Sequence, residues 1–168
     1  MIQRLSFWIM MIVCSVMVSG QEYDGYYTNP ILPSGADPWV VKHEGWYYYC
    51  CGVPGGIGVS RSRDLHKINP PVRVWKAPEK GQWNSTCIWA PELHFWKGKW
   101  YIFYAGGYSG PPFIHQKTGV LESVTSDAIG EYIDKGMLFT GDVLGDWKNN
   151  RWAIDMTLLE HKGQLYAV

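Results

Sequence analysis

The chain has 168 residues with 15 basic and 15 acidic side chains, so its formal net charge at pH 7 is zero. Because the charges are balanced and form no basic cluster, nucleic acid and anionic membranes are excluded as expected partners. The 10 tryptophans and 11 tyrosines are typical of β-sheet cores, and aromatic faces also stack on sugars. We expect most of them in the core.

The N-terminus has the pattern of a secretory signal. Arg4 precedes an apolar run from Leu5 to about Val18, and small residues lead to an expected cleavage before Gln21. A membrane anchor is the alternative, but the run is shorter than the roughly 20 residues that a spanning helix needs. We therefore predict a signal peptide over residues 1–20, no membrane span, and a secreted or periplasmic protein.

A first set of four strands is predicted after the signal. Pro30 and Pro33 break regular structure and lead the chain to Asp37. Glu44 and Gly45 form a tight turn between two aromatic-rich segments, which is a hairpin pattern. The predicted strands are 38–43, 46–51, 57–62 and 72–76.

A second set repeats this course, and a third begins at about Trp152 and reaches Val168 in its second strand. Asn84 opens an Asn-Ser-Thr triplet, which is an N-glycosylation pattern that also arises by chance. The strands predicted for the second set are 93–96, 99–105, 119–124 and 137–140.

The hairpins recur at a period that predicts a β-propeller. Their turn glycines, Gly45, Gly98 and Gly163, are 53 and 65 residues apart. Asp37 and Asp155 each lie 8 residues before such a glycine, so both would face one central cavity. At a spacing of about 59 residues, five blades need about 300 residues. We therefore predict that residues 21–168 are the N-terminal part of a larger all-β propeller, with about two and a half blades present.

Three cysteines follow the predicted signal: Cys50, Cys51 and Cys87. Neighbouring residues of a strand point to opposite faces, so only one of the first two could bridge to Cys87. We expect no essential disulfide. The five histidines are scattered, which makes a zinc site unexpected.

Two carboxylates in one cavity are what glycoside hydrolysis requires, and Asp37 with Asp155 would supply them. Capping of turns is the alternative role for both. In the second repeat Ala90 takes the place of the aspartate, and Glu92 lies two residues later, on the same face of a strand. Glu92 either reaches the cavity or binds loop backbone, and Trp89 either walls a sugar subsite or packs in the core.

Three stretches of the chain resemble glycoside hydrolase family 43, and especially its α-L-arabinofuranosidases. They are Asn29 to Trp39, Trp89 to His94, and Trp152 to Asp155. The resemblance implies a five-bladed β-propeller in which Asp37 is the general base. Asp155 would tune the pKa of the general acid and orient it. Trp89 would lie in the sugar pocket, and we place Trp39 and Glu92 with it as substrate-binding residues.

The resemblance also implies an inverting mechanism whose general acid is a Glu of the fourth blade, beyond Val168. This chain alone is therefore expected to be inactive. The implied activity is release of α-L-arabinofuranose from arabinan or arabinoxylan, so the expected partner is a polysaccharide or oligosaccharide containing arabinose or xylose. Many family members also hold a calcium ion near the propeller axis, and such an ion would belong to the full-length protein. The alternatives are a β-xylosidase, an endo-arabinanase, a non-catalytic carbohydrate-binding propeller and a protein-binding propeller.

Overall fold

The computed structural model describes residues 29–113, 116–140 and 152–168. The predicted signal peptide lies outside the described residues. Within these ranges the chain is all-β, with ten strands and no helix. Accordingly, the described part contains no helix long and apolar enough to cross a membrane.

The strands form two four-stranded antiparallel sheets and one hairpin, each sheet being a blade that follows chain order. The first blade confirms the four strands predicted for it, and the third repeat is the hairpin. The first blade comprises β1 (Trp39–His43), β2 (Trp46–Val53), β3 (Gly56–Ser62) and β4 (Val72–Lys76). The second comprises β5 (Thr86–Trp96), β6 (Lys99–Gly107), β7 (Lys117–Ser123) and β8 (Tyr132–Met137). The hairpin comprises β9 (Leu158–His161) and β10 (Gln164–Ala167).

Each of the three predicted tight turns has two residues in the left-handed conformation. The φ angles are 47° and 74° at Glu44 and Gly45, and 47° and 83° at Lys97 and Gly98. The last turn, at residues 162–163, has φ angles of 51° and 74°. Two successive positive φ angles are typical of the type I′ turn, whose twist matches that of the strands it joins. The shared turn geometry confirms the repeat.

The outer strand of the second blade was predicted at 137–140, and this prediction is wrong. The strand is β8, which ends at Met137. Tyr132 anchors its beginning, because the residue is 5% exposed and its hydroxyl donates to the Ala128 carbonyl oxygen at 3.0 Å. The register with β7 then shifts by a bulge, and Gly136 takes a φ of 91°. The bulge hid the strand from a search for unbroken apolar alternation.

The innermost strand of the second blade begins seven residues earlier than the predicted Leu93. Thr86 pairs with Gly107 at its beginning, and the register is irregular until Glu92. Within this segment Cys87 has a φ of 53°. Such irregular pairing keeps the segment in the sheet while it turns individual side chains away from strict alternation.

Aromatic rings join the two blades into one core. The Tyr48 ring centroid lies 4.8 Å from that of Trp100, and the His43 and Phe95 centroids are 4.0 Å apart. Trp100 is 1% exposed, and its backbone N–H donates to the Ser123 hydroxyl. Aromatic pairs at such distances add to the stabilisation from burial, so the blades pack as one unit.

Asn84 is a buried polar clamp of the second blade. The residue is 2% exposed. Its side-chain amide nitrogen donates to the Tyr104 hydroxyl at 2.6 Å and to Asp134 Oδ2 at 2.8 Å. Burial raises the pKa of Tyr104, so the hydroxyl stays neutral. A glycan on Asn84 would replace one of the two donated amide hydrogens and would need space at a residue that is buried, which argues against use of the triplet in the folded protein.

All three cysteines in the described ranges are free thiols. Cys50 and Cys51 are buried on opposite faces of β2, with 0% and 7% exposure. Burial raises the pKa of the Cys50 thiol well above its ordinary value. The Cys87 thiol donates to the Ser109 carbonyl oxygen at 3.4 Å. The arrangement is that of small apolar packing groups.

Candidate active site

The equivalent positions of the three repeats share one unusual backbone conformation. The φ angles of Asp37, Ala90 and Asp155 are 47°, 42° and 59°, in the left-handed region that residues other than glycine rarely adopt. Sequence reasoning placed both aspartates at the start of the innermost strand. Instead, Asp37 lies two residues before β1 and Asp155 three before β9, whereas Ala90 lies within β5 despite its similar φ.

Three carboxylates converge on one cavity. Asp37, Glu92 and Asp155 all line an open space of about 230 Å³, together with Trp39 and Ala90. Both aspartates are exposed to solvent, whereas Glu92 is half-buried. Residues 118 positions apart in the chain therefore share a site, as the repeat predicts.

A larger cavity, of about 660 Å³, is lined by residues of the first blade and of the segment that precedes it. Its lining includes Ile31, Leu32 and Tyr49, and among the described residues that line it there is no carboxylate. Hydrolysis of a glycosidic bond needs acid and base groups, so the smaller cavity is the candidate active site.

Glu92 is held by a neighbouring histidine that sequence reasoning did not identify. His94 Nε2 lies 3.2 Å from Glu92 Oε2. The side chains of Glu92 and His94 are 18% and 15% exposed, respectively. Burial lowers the pKa of His94, and the hydrogen bond to Glu92 partly opposes this effect. The signal for the pair was their spacing of two residues on one strand, which puts both side chains on one face.

Trp39 connects the first blade to the site. Its indole Nε1 donates to the Leu93 carbonyl oxygen at 2.8 Å, and its ring centroid lies 5.0 Å from that of His94. Trp39 thus lines the cavity while its indole N–H is already bound to backbone.

Trp89 lies in an aromatic cluster and is absent from the lining of the carboxylate cavity. Its ring centroid is 5.1 Å from that of Phe113 and 6.1 Å from that of Trp152. Trp152 Nε1 donates to the Phe113 carbonyl oxygen at 2.7 Å and the residue is 50% exposed. The cluster joins the long loop of the second blade to the third repeat, a role that neither tryptophan's local sequence indicated.

In the described ranges, no three His, Cys, Asp or Glu side chains are grouped so that they could hold a metal ion. Calcium binds through six to eight oxygen ligands. These ligands include backbone carbonyls and waters, so the calcium ion that the resemblance implies stays an expectation for the full-length protein.

Residues 27–168 match the family described as Glycosyl hydrolases family 43. The chain is 32% identical over 148 residues to an α-L-arabinofuranosidase 43 of Humicola insolens, covering 84% of this chain and 29% of the relative. An extracellular exo-α-(1→5)-L-arabinofuranosidase of Streptomyces chartreusis is 31% identical, with 83% of this chain and 42% of the relative covered. The chain thus spans well under half the length of these curated relatives.

Among solved structures, an α-L-arabinofuranosidase of Lactobacillus brevis matches with a TM-score of 0.72 and 27% identity. The match covers 84% of this chain and 45% of that protein. This chain belongs to glycosyl hydrolases family 43, and its two blades and hairpin are part of a five-bladed β-propeller.

Proposed function

We propose that the protein is an inverting glycoside hydrolase that releases α-L-arabinofuranose from arabinan or arabinoxylan. The observation that carries this proposal is the convergence of Asp37 and Asp155, from equivalent positions of two repeats, on one cavity. Similarity to exo-α-(1→5)-L-arabinofuranosidases favours α-1,5-linked arabinan as the substrate.

In the proposed reaction, the Asp37 carboxylate removes a proton from a water molecule as that water attacks the anomeric carbon. Asp155 raises the pKa of the general acid by its charge and orients the acid by hydrogen bonding. The acid donates its proton to the leaving oxygen, and single displacement inverts the anomeric configuration. We assign the acid to a Glu of the fourth blade, outside this chain.

The substrate would contact three further side chains. Trp39 offers ring surface at the cavity, and the Glu92 carboxylate accepts hydrogen bonds from sugar hydroxyls. Trp89 lies outside this cavity, against Phe113 and Trp152, and would contact a part of the substrate that extends beyond the cavity. The predicted signal peptide and the extracellular relatives support secretion of the protein to meet a polymeric substrate.

Replacement of Asp37 with asparagine in the full-length protein tests the role of the base. Asparagine tolerates a positive φ, so the fold should be retained. We expect kcat on α-1,5-arabino-oligosaccharides to fall about 10²- to 10⁴-fold, the usual contribution of a general base. The matched control is Asp127→Asn at an exposed turn outside the cavity, which should retain full activity. Unchanged hydrolysis by Asp37→Asn would remove Asp37 from the mechanism.

The same assays separate the alternatives. Proton NMR of the first product should show the inverted anomer, and a retained anomer would refute single displacement. Preference for xylo-oligosaccharides would identify a β-xylosidase, and internal cleavage of arabinan would identify an endo-arabinanase. Sugar binding by the full-length protein without hydrolysis would identify a carbohydrate-binding propeller.

A further inference from the structure

The side chains of Glu92 and His94 are more buried, and that of His94 is held by more contacts, than in an ordinary surface ion pair. The His94 ring lies between two aromatic rings, with its centroid 5.0 Å from that of Trp39 and 5.8 Å from that of Phe103. Trp39 is itself fixed by its hydrogen bond to the Leu93 carbonyl oxygen, between the two members of the pair. The histidine therefore has little rotational freedom.

The carboxylate determines which nitrogen of His94 carries the proton. A carboxylate only accepts hydrogen bonds, so the nitrogen 3.2 Å away, Nε2, must be the donor. Because burial lowers the pKa of His94, the ring is neutral at pH 7 and Nε2–H is the occupied tautomer. The contact is a charge-assisted hydrogen bond from a neutral ring.

This bond uses Oε2 of Glu92, and Glu92 lines a cavity together with Asp37 and Asp155. Because a carboxylate has two acceptor oxygens, Oε1 can accept further hydrogen bonds. A fixed carboxylate oxygen can accept hydrogen bonds from the hydroxyls of a sugar, whereas a mobile glutamate would first lose side-chain entropy. We propose that His94 is a positioning residue, which holds the Glu92 carboxylate in the orientation that binds pentose hydroxyls. This inference deepens the proposed function and rests on it for the identity of the sugar.

The test compares His94→Phe, which keeps a ring between Trp39 and Phe103 but loses the donor, with His94→Gln, whose amide can donate in place of Nε2. His161→Phe, at an exposed position of β9, is the matched control. In the full-length protein, calorimetry in the Asp37→Asn background gives the Kd of arabinotriose. Steady-state kinetics without that background give KM and kcat.

We expect His94→Phe to raise Kd and KM about 10-fold, the effect of one hydrogen bond, with kcat changed less than about 3-fold. His94→Gln should restore most of the affinity, and His161→Phe should match the parent protein. Adding His94→Phe to Glu92→Ala should cause no further loss, because the two residues would act as one unit.

The two proposals fail in different ways. If His94→Phe binds arabinotriose as tightly as the parent, or if His94→Gln is as weak as His94→Phe, the positioning role is refuted while hydrolysis stands. If the parent binds arabinotriose and the variants follow the expected order but no hydrolysis occurs, the proposed activity is refuted while the positioning role stands. A parent protein that neither binds nor cleaves the sugar refutes both.

Discussion

Replacing Asn84 with alanine should destabilise the second blade more than any ordinary surface change. The variant loses the hydrogen bonds to the Tyr104 hydroxyl and to Asp134 Oδ2, 2.6 and 2.8 Å long. One is a neutral hydrogen bond and the other is to a carboxylate, so together they contribute about 3 kcal/mol. For a chain of this size, that loss corresponds to a fall in Tm of about 6–12 °C.

The assay is thermal unfolding followed by circular dichroism at pH 7, with the protein at one fixed concentration. Asn69→Ala is the matched control, because Asn69 also donates through its side-chain amide, to the Arg61 carbonyl oxygen at 2.7 Å, but is exposed to water. Water replaces its lost partner, so Tm should fall by less than about 3 °C. Equal Tm values for the two variants would refute the argument that burial increases the contribution of the Asn84 hydrogen bonds to stability.

The backbone conformation at Gly98, the close approach at Gly56 and the burial of Tyr49 each affect stability. Gly98→Ala adds a methyl group in open space, but at a φ of +83° that an alanine rarely adopts. Its Tm should therefore fall by about 2–4 °C. The control is Gly110→Ala, which is equally open and has no positive φ, and which should not lower Tm. Gly56→Ala would press its methyl group into the Trp75 carbonyl oxygen, and loss of soluble protein is expected; normal yield would contradict this. Burial is the main cause, and the nearby Cys51 a smaller one, that raises the pKa of Tyr49 to about 12.

The sign of the Tyr49 effect follows from proton linkage. The unfolded chain releases the phenolic proton from about pH 10, whereas the folded chain holds it to about pH 12. Below pH 10 the contribution to stability is complete, and between pH 10 and 12 it is lost. Denaturant melts should thus show declining stability across this window, with a smaller decline in Tyr49→Phe. Equal declines would contradict the argument.

The first blade was predictable because its strands alternate or run apolar between strong turn residues. The turn at Glu44 and Gly45 determines the register between β1 and β2. The bounds of β1 to β4 lie within two residues of the predicted ones. The second blade was harder, since bulges in β5 and before Gly136 in β8 break the period on which the prediction depends.

The cavity was predicted better than the contacts inside it. Repeat alignment predicted a shared cavity for Asp37 and Asp155, because equivalent positions of blades face the same axis, and it left open whether Glu92 reaches that cavity. In the structure all three residues line one cavity. It could not show that Trp89 packs on Phe113 or that His94 reaches back to Glu92. Such pairings depend on side-chain rotamers and on bulges, which leave no periodic trace in the sequence.

The left-handed backbone conformation shared by Asp37, Ala90 and Asp155 does not depend on which side chain occupies the position. The second repeat adopts the conformation with a methyl group alone, so the bend is imposed by the surrounding blade and needs no carboxylate to form. Each repeat therefore has an equivalent backbone position that can carry an acidic side chain or lack one. A propeller of this kind could gain or lose reactive groups blade by blade while its frame stays the same.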